Sequence, residues 1–138
     1  IPPTENEFTE CIHNIMYGTC IISKYLKRGD LWTALEAHSI ERRFMLPMIE
    51  WYAHIHNPDE YTHYRGMHMK DWLDDETWQE LHYIAGHFDE QDSWRALFAL
   101  IDVYTRIARE TATYLGYPYP ETMIEEVIAY VKQLSELD

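Results

Sequence analysis

Glu50 and His54 stand four residues apart, a spacing that puts two side chains on one face of a helix. They are the kind of pair that metal chemistry would use. Around them the chain carries eight histidines and twenty-four carboxylates. The other histidine pairs are poorly spaced for a shared ion. His54 and His56 are two apart and diverge, and His82 and His87 are five apart and splay. A di-metal bundle asks for a carboxylate on each of two helices and Glu-x-x-His on two others. No such set of four is legible, and solvated or hydrogen-bonded histidines account for these residues better.

Nucleotide chemistry leaves no trace either. There is no glycine-rich phosphate loop, no nucleophile elbow and no Cys-x-x-Cys. There is also no Gly-Ser followed by an alternating pair of aspartates, the arrangement that offers magnesium converging oxygens around a triphosphate. Asp74-Asp75 is adjacent rather than alternating and reads as a helix cap.

Aromatic residues are the richer signal. Tyr17, Tyr25, Trp51, Tyr52, Trp72 and Trp78 can serve either as core or as the lining of a cleft. Rings stack on the C–H face of a sugar and attract cations. Carboxylates take charge-assisted hydrogen bonds from ammonium or guanidinium groups. The net charge of -13 suits a cationic ligand, or simply solubility, and it repels phosphate backbones, so no nucleic-acid partner is expected. Apolar runs stay well short of the roughly 20 residues of a membrane span, and no signal peptide is visible. Cys11 and Cys20, on one helix, lie roughly 13 Å apart, too far for a disulfide. A reducing cytoplasm is the expected location.

The elements that must position these residues are helices. Gly and Pro are sparse, at 5 and 6 copies, while hydrophobic residues make up 46% of the chain. Thr4 and Glu7 form a capping box, and Phe8, Cys11, Ile12, Ile15, Met16, Thr19, Ile22 and Leu26 follow at helical spacing. A first helix is predicted from about Glu5 to Lys27, stopping at Gly29. A second, capped by Asp30, runs to about His56, with a kink expected at Pro47. A polar loop, a short helix around Met67 to Leu73 and a helix capped by Asp74 or Asp75, containing Trp78, Leu81 and Ile84 and ending near Gly86, follow. The clearest stripe is Trp94, Leu97, Phe98, Ile101, Tyr104, Ile107, Ala108 and Leu115, a helix from about Ser93 to Gly116. Glu121 to Leu137 is the last. The expected fold is all-α, an antiparallel helical bundle of about five helices in one domain, residues 5–138. Ile1-Pro2-Pro3 has the stiffness of a linker and the chain does not open on Met, so residues 1–4 are expected to lead from a preceding domain.

The order of residues resembles the C-terminal domain of the aminoglycoside 6-adenylyltransferase family, the streptomycin-adenylylating enzymes. Pro3-Thr4-Glu5, Phe8 and Cys11 look like the segment that opens the family's first C-terminal helix, and Asn14 falls where the family has an Asn-x-Phe-Trp-Trp motif or similar. Lys24, Leu26 and Arg28 match its Lys-Gly-Leu-Trp-Arg stretch. With one single-residue gap, Arg42, Met48 and Trp51-Tyr52 match its Arg…Met-x-x-Trp run. Gly66, Lys70, Leu73 and Trp78 follow in order, and Trp94, Phe98, Ala108, Ala112, Gly116, Tyr119 and Pro120 match the long helix and its tyrosine-proline stop. Departures occur at Met16-Tyr17, in place of the paired tryptophans, at His63-Tyr64-Arg65, and at Asp74 in place of proline.

The resemblance implies a two-domain enzyme whose N-terminal nucleotidyltransferase domain binds ATP and magnesium. Its helical C-terminal domain would bind no cofactor itself and would supply much of the pocket for a cationic aminoglycoside. On this expectation Tyr17, Lys24, Trp51 and Tyr52 bind substrate, and Glu5 is a base or ligand for the substrate hydroxyl. An oligomer remains open. The competing expectation is a stand-alone helical module that dimerises or docks a partner through exposed aromatic residues.

Overall fold

A computed structural model describes residues 2–62 and 64–136 of the chain, Tyr64 by its backbone. Six α-helices occupy these residues: α1 (Glu5–Arg28), α2 (Leu31–His56), α3 (Met69–Trp72), α4 (Asp75–Leu81), α5 (Glu90–Leu115) and α6 (Glu121–Glu136). No strand occurs among the described residues. The all-α bundle expected from periodicity is the fold observed.

Local chemistry explains most of the boundaries. Thr4 Oγ1 accepts from the Glu7 amide at 3.1 Å and Glu7 Oε1 accepts from the Thr4 amide at 2.9 Å, which closes the capping box of α1. Gly29 ends that helix in the left-handed region, at φ 81°, where a side chain would be strained. Asp30 precedes α2 as expected, but its side chain makes no capping bond. The helix continues through Pro47 without a break in its assignment. Asp74 Oδ2 accepts from both the amide and the hydroxyl of Thr77, each at 3.0 Å, and so starts α4. That helix ends at Leu81, earlier than expected, and Ile84 is buried just beyond it. α5 starts at Glu90, three residues before the expected start at Ser93, because Asp89 accepts from the Asp92 amide at 2.8 Å and caps a polar first turn that periodicity cannot reveal.

The helices pack with their apolar stripes inward. α1 lies between α2, α5 and α6, and α2 also packs on α5. Pairings fix the direction of α1 against α2: Cys11 reaches the Phe44 carbonyl, while Gly18, further along α1, meets Glu41, further back on α2. The two helices are therefore antiparallel. Phe8, Ile12, Ile15, Met16, Met45, Met48, Leu100, Tyr104 and Ile107 fill the main core. A second cluster, with Ile22, Leu26, Leu97, Ile101 and Val131, closes the bundle toward the Gly29 turn. Pro3 is buried against the bundle, and its carbonyl accepts from Tyr117 Oη at 2.7 Å.

A candidate ligand-binding groove

Gly18 lies inside α1, where glycine costs roughly 1 kcal/mol relative to alanine. Its reason is on the facing helix. A Cβ at Gly18 would stand 2.7 Å from Glu41 Cδ and closer still to Oε1. The missing side chain is the notch that admits this carboxyl group. Glu41 is only 3% exposed, and its Oε2 has no hydrogen-bond partner. Burial without a compensating charge pushes its pKa up to about 8. Among the described residues, no cation pairs with it.

The notch opens into a groove of about 460 Å³ between α1 and α2, walled by Tyr17, Tyr25, Ile40 and Phe44 with Glu36 and Glu41. Tyr17 is 70% exposed and Phe44 53%, so both rings stand at the rim rather than in the core. Glu36 accepts from Trp32 Nε1 at 3.2 Å. The groove thus combines aromatic faces with the Glu36 carboxylate and the notched Glu41 carboxyl, groups that ammonium and guanidinium ions can meet.

The remaining expected site residues are spread over the surface. Lys24 is exposed on α1 and shares a shallow depression with Tyr17, Cys20, Met123, Glu126 and Tyr130. Trp51 lines a separate cavity of about 250 Å³ with Pro2, Pro3, His54, Tyr114 and Leu115. Phe8 stands between Trp51 and Tyr117 there, with ring centroids 6.4 and 5.7 Å away. Tyr52, the next residue, turns into the core and is 4% exposed. Its hydroxyl accepts from Arg106 at 3.2 Å, and Arg106 also bonds Thr77 (2.8 Å) and Glu80 (2.7 Å). That network ties α2, α4 and α5 together, so Tyr52 does structural work in this arrangement. Glu5 is exposed in the first turn of α1, where negative charge also suits the helix dipole. The structure therefore joins Tyr17 with Lys24 and separates both from Trp51, Tyr52 and Glu5.

Glu41 was absent from the residues singled out by sequence. The available signal was Gly18 itself, since a glycine inside a strongly amphipathic helix marks a close approach. The described histidines are placed apart from one another: His54 Nε2 lies 3.3 Å from Thr62 Oγ1, and Glu10 and His13, which stand at Glu-x-x-His spacing, are both exposed. Among the described residues no three His, Cys, Asp or Glu side chains group as metal ligands. No described helix is long and apolar enough to cross a membrane.

Known proteins resemble the chain in sequence and in fold. It is 26% identical over 123 residues to the aminoglycoside 6-adenylyltransferase of Bacillus subtilis strain 168, covering 86% of this chain and 43% of that protein. The crystal structure of an aminoglycoside 6-adenyltransferase from Bacillus subtilis superposes with a TM-score of 0.88 at 22% identity, over 98% of this chain and 52% of that one. The chain thus spans about half the length of the relatives it matches. The family model described as streptomycin adenylyltransferase matches residues 1–134, and the chain belongs to that family.

Proposed function

We propose that the chain is the substrate-binding half of an aminoglycoside O-adenylyltransferase. The observation that carries this reading is the α1–α2 groove, in which the exposed Tyr17 and Phe44 rings stand beside the exposed Glu36 and the buried Glu41 carboxyl, with no basic residue in the wall. A polycationic sugar would lay its ring faces on Tyr17 and Phe44 and its charged nitrogens on the carboxylates. The net charge of -13 would draw such a ligand toward the surface at low salt.

ATP and magnesium are assigned to an N-terminal nucleotidyltransferase domain, a reading supported by the family match and by the chain spanning about half the length of its relatives. The chain's own residues would bind and orient the acceptor. Trp51, beside Pro2 and Pro3, is assigned to the side facing that domain. Glu5 is assigned to the acceptor hydroxyl, as base or ligand, a role supported by its exposure at the start of α1. Lys24 extends the Tyr17 surface, and Tyr52, whose hydroxyl accepts from Arg106, holds α2 against α5. ATP dependence fits a cytoplasmic enzyme.

The test is steady-state kinetics of the complete enzyme with streptomycin. Tyr17→Ala, Trp51→Ala and Glu5→Gln should each lower kcat/KM for the aminoglycoside while the KM for ATP stays close to wild type. Wild-type aminoglycoside kinetics in all three variants would remove the assignment.

A further inference from the structure

Buried carboxylates are normally neutralised by a cation or surrounded by N–H donors, because an isolated charge is costly to desolvate. Glu41 has neither. Its Oε2 lacks a partner, and the adjacent basic residue, Arg42, turns instead to His38 Nδ1 at 2.5 Å. The protein also forgoes a side chain at position 18 to make room for the group. That notch opens to a groove with aromatic walls.

We infer that Glu41 anchors a guanidinium or ammonium group of a small-molecule ligand that enters the α1–α2 groove and reaches the notch beside Gly18. This deepens the substrate-binding reading and rests on it for the ligand's identity. A guanidinium fork meets a carboxylate with two parallel hydrogen bonds, and its flat face stacks on tyrosine. Tyr17 and Tyr25 of α1 and Phe44 of α2 supply such faces.

Binding is then coupled to one proton. The empty site holds Glu41 as the neutral acid near pH 7, and the cation requires the carboxylate, so the proton leaves to solvent as the ion pair forms. The titratable groups facing Glu41 do not supply that charge. They are the Tyr17, Tyr25, Cys11 and Cys20 side chains of α1, Glu36 of α2 and the Tyr104 phenol of α5. The two thiols and the Tyr104 phenol are held above their usual pKa values by burial, so they stay neutral.

Calorimetric titration of the whole chain with methylguanidine hydrochloride, and separately with streptomycin, tests this in two buffers of unlike protonation enthalpy. Wild type should bind methylguanidine and release close to one proton near pH 7. Glu41→Gln should bind about tenfold or more weakly and release none. Gly18→Ala is the second variant: it keeps the charge but fills the notch, so the flexible carboxyl must leave it, and binding should fall in the same way. Circular dichroism of both variants checks that the helices remain. Unchanged methylguanidine affinity in Glu41→Gln, or no binding by wild type, overturns the inference. Streptomycin bound equally by wild type and Glu41→Gln overturns it too, while leaving the aminoglycoside reading in place with its contacts elsewhere. Methylguanidine bound through Glu41 without any streptomycin binding sustains the anchor and overturns the aminoglycoside reading instead.

Discussion

Replacing Glu41 by glutamine should change how stability depends on pH, in a direction set by burial. In the unfolded chain this carboxyl ionises near 4.5, and in the folded chain near 8. Between those values the folded state holds a proton that the unfolded state has released. Stability contributed by this group is therefore complete below about pH 4.5 and is lost as pH rises through about 8. Each pH unit in that window is worth about 1.4 kcal/mol. At pH 7 the wild-type chain should already have lost roughly 3 kcal/mol relative to acid conditions through this one group. Glutamine has the same shape and no charge, so the loss disappears. Its amide brings N–H donors of its own into the notch, an offset of about 1–3 kcal/mol if they find no acceptor. The slope is thus a better measure than the level. His38 complicates acid conditions, because burial and Arg42 depress its pKa to about 4. That imidazole contributes stability above about 6.5 that is lost as pH falls through about 4, the opposite sign. Urea unfolding followed by tryptophan fluorescence should therefore compare about pH 6.5 with about pH 8, where the folded His38 is neutral and the small residual gain from its unfolded-state titration is common to both proteins. Wild type should lose on the order of 2 kcal/mol more than Glu41→Gln across that interval. Equal losses in the two proteins would refute the claim that Glu41 is buried as a neutral acid.

Other substitutions probe the frame around the groove. Tyr52→Phe removes the hydroxyl that accepts from Arg106 and should cost about 1 kcal/mol in the same urea assay, without altering ligand affinity. Phe8→Ala empties a fully buried ring site between Trp51 and Tyr117 and should cost about 3–5 kcal/mol, read as a large drop in the urea midpoint. Asp89→Ala removes the cap of α5 and should cost about 1 kcal/mol, with faster hydrogen exchange confined to the first turn of that helix.

Much of the frame was legible in the residues themselves. Thr4 and Glu7 announce the start of α1 and Gly29 and Gly116 the ends of α1 and α5, because capping bonds and left-handed backbone are local. The apolar stripes of α1 and α5 specify helices that bury one face, and the ordered matches from Pro3 to Pro120 point to the family. Local rules failed where a boundary carried no apolar signal, as at Asp89, or where a cap-type residue made no capping bond, as at Asp30.

The candidate site depended on tertiary pairing. Trp51 and Tyr52 are neighbours in sequence, yet consecutive helical positions point about 100° apart, and only the packing of α2 on α5 sends Tyr52 to Arg106 and leaves Trp51 on a cavity. Tyr17 reads as core or cleft with equal ease until the position of α2 leaves its ring at the groove rim. Sequence alone determined that α1 and α2 are long helices joined by a tight turn at Gly29, with an acidic surface around them. The antiparallel register between those helices decided that Gly18 faces Glu41, because no local interaction links residues on two helices until their side chains interlock, and that register turns an ordinary helical glutamate into a buried, unpaired carboxyl group.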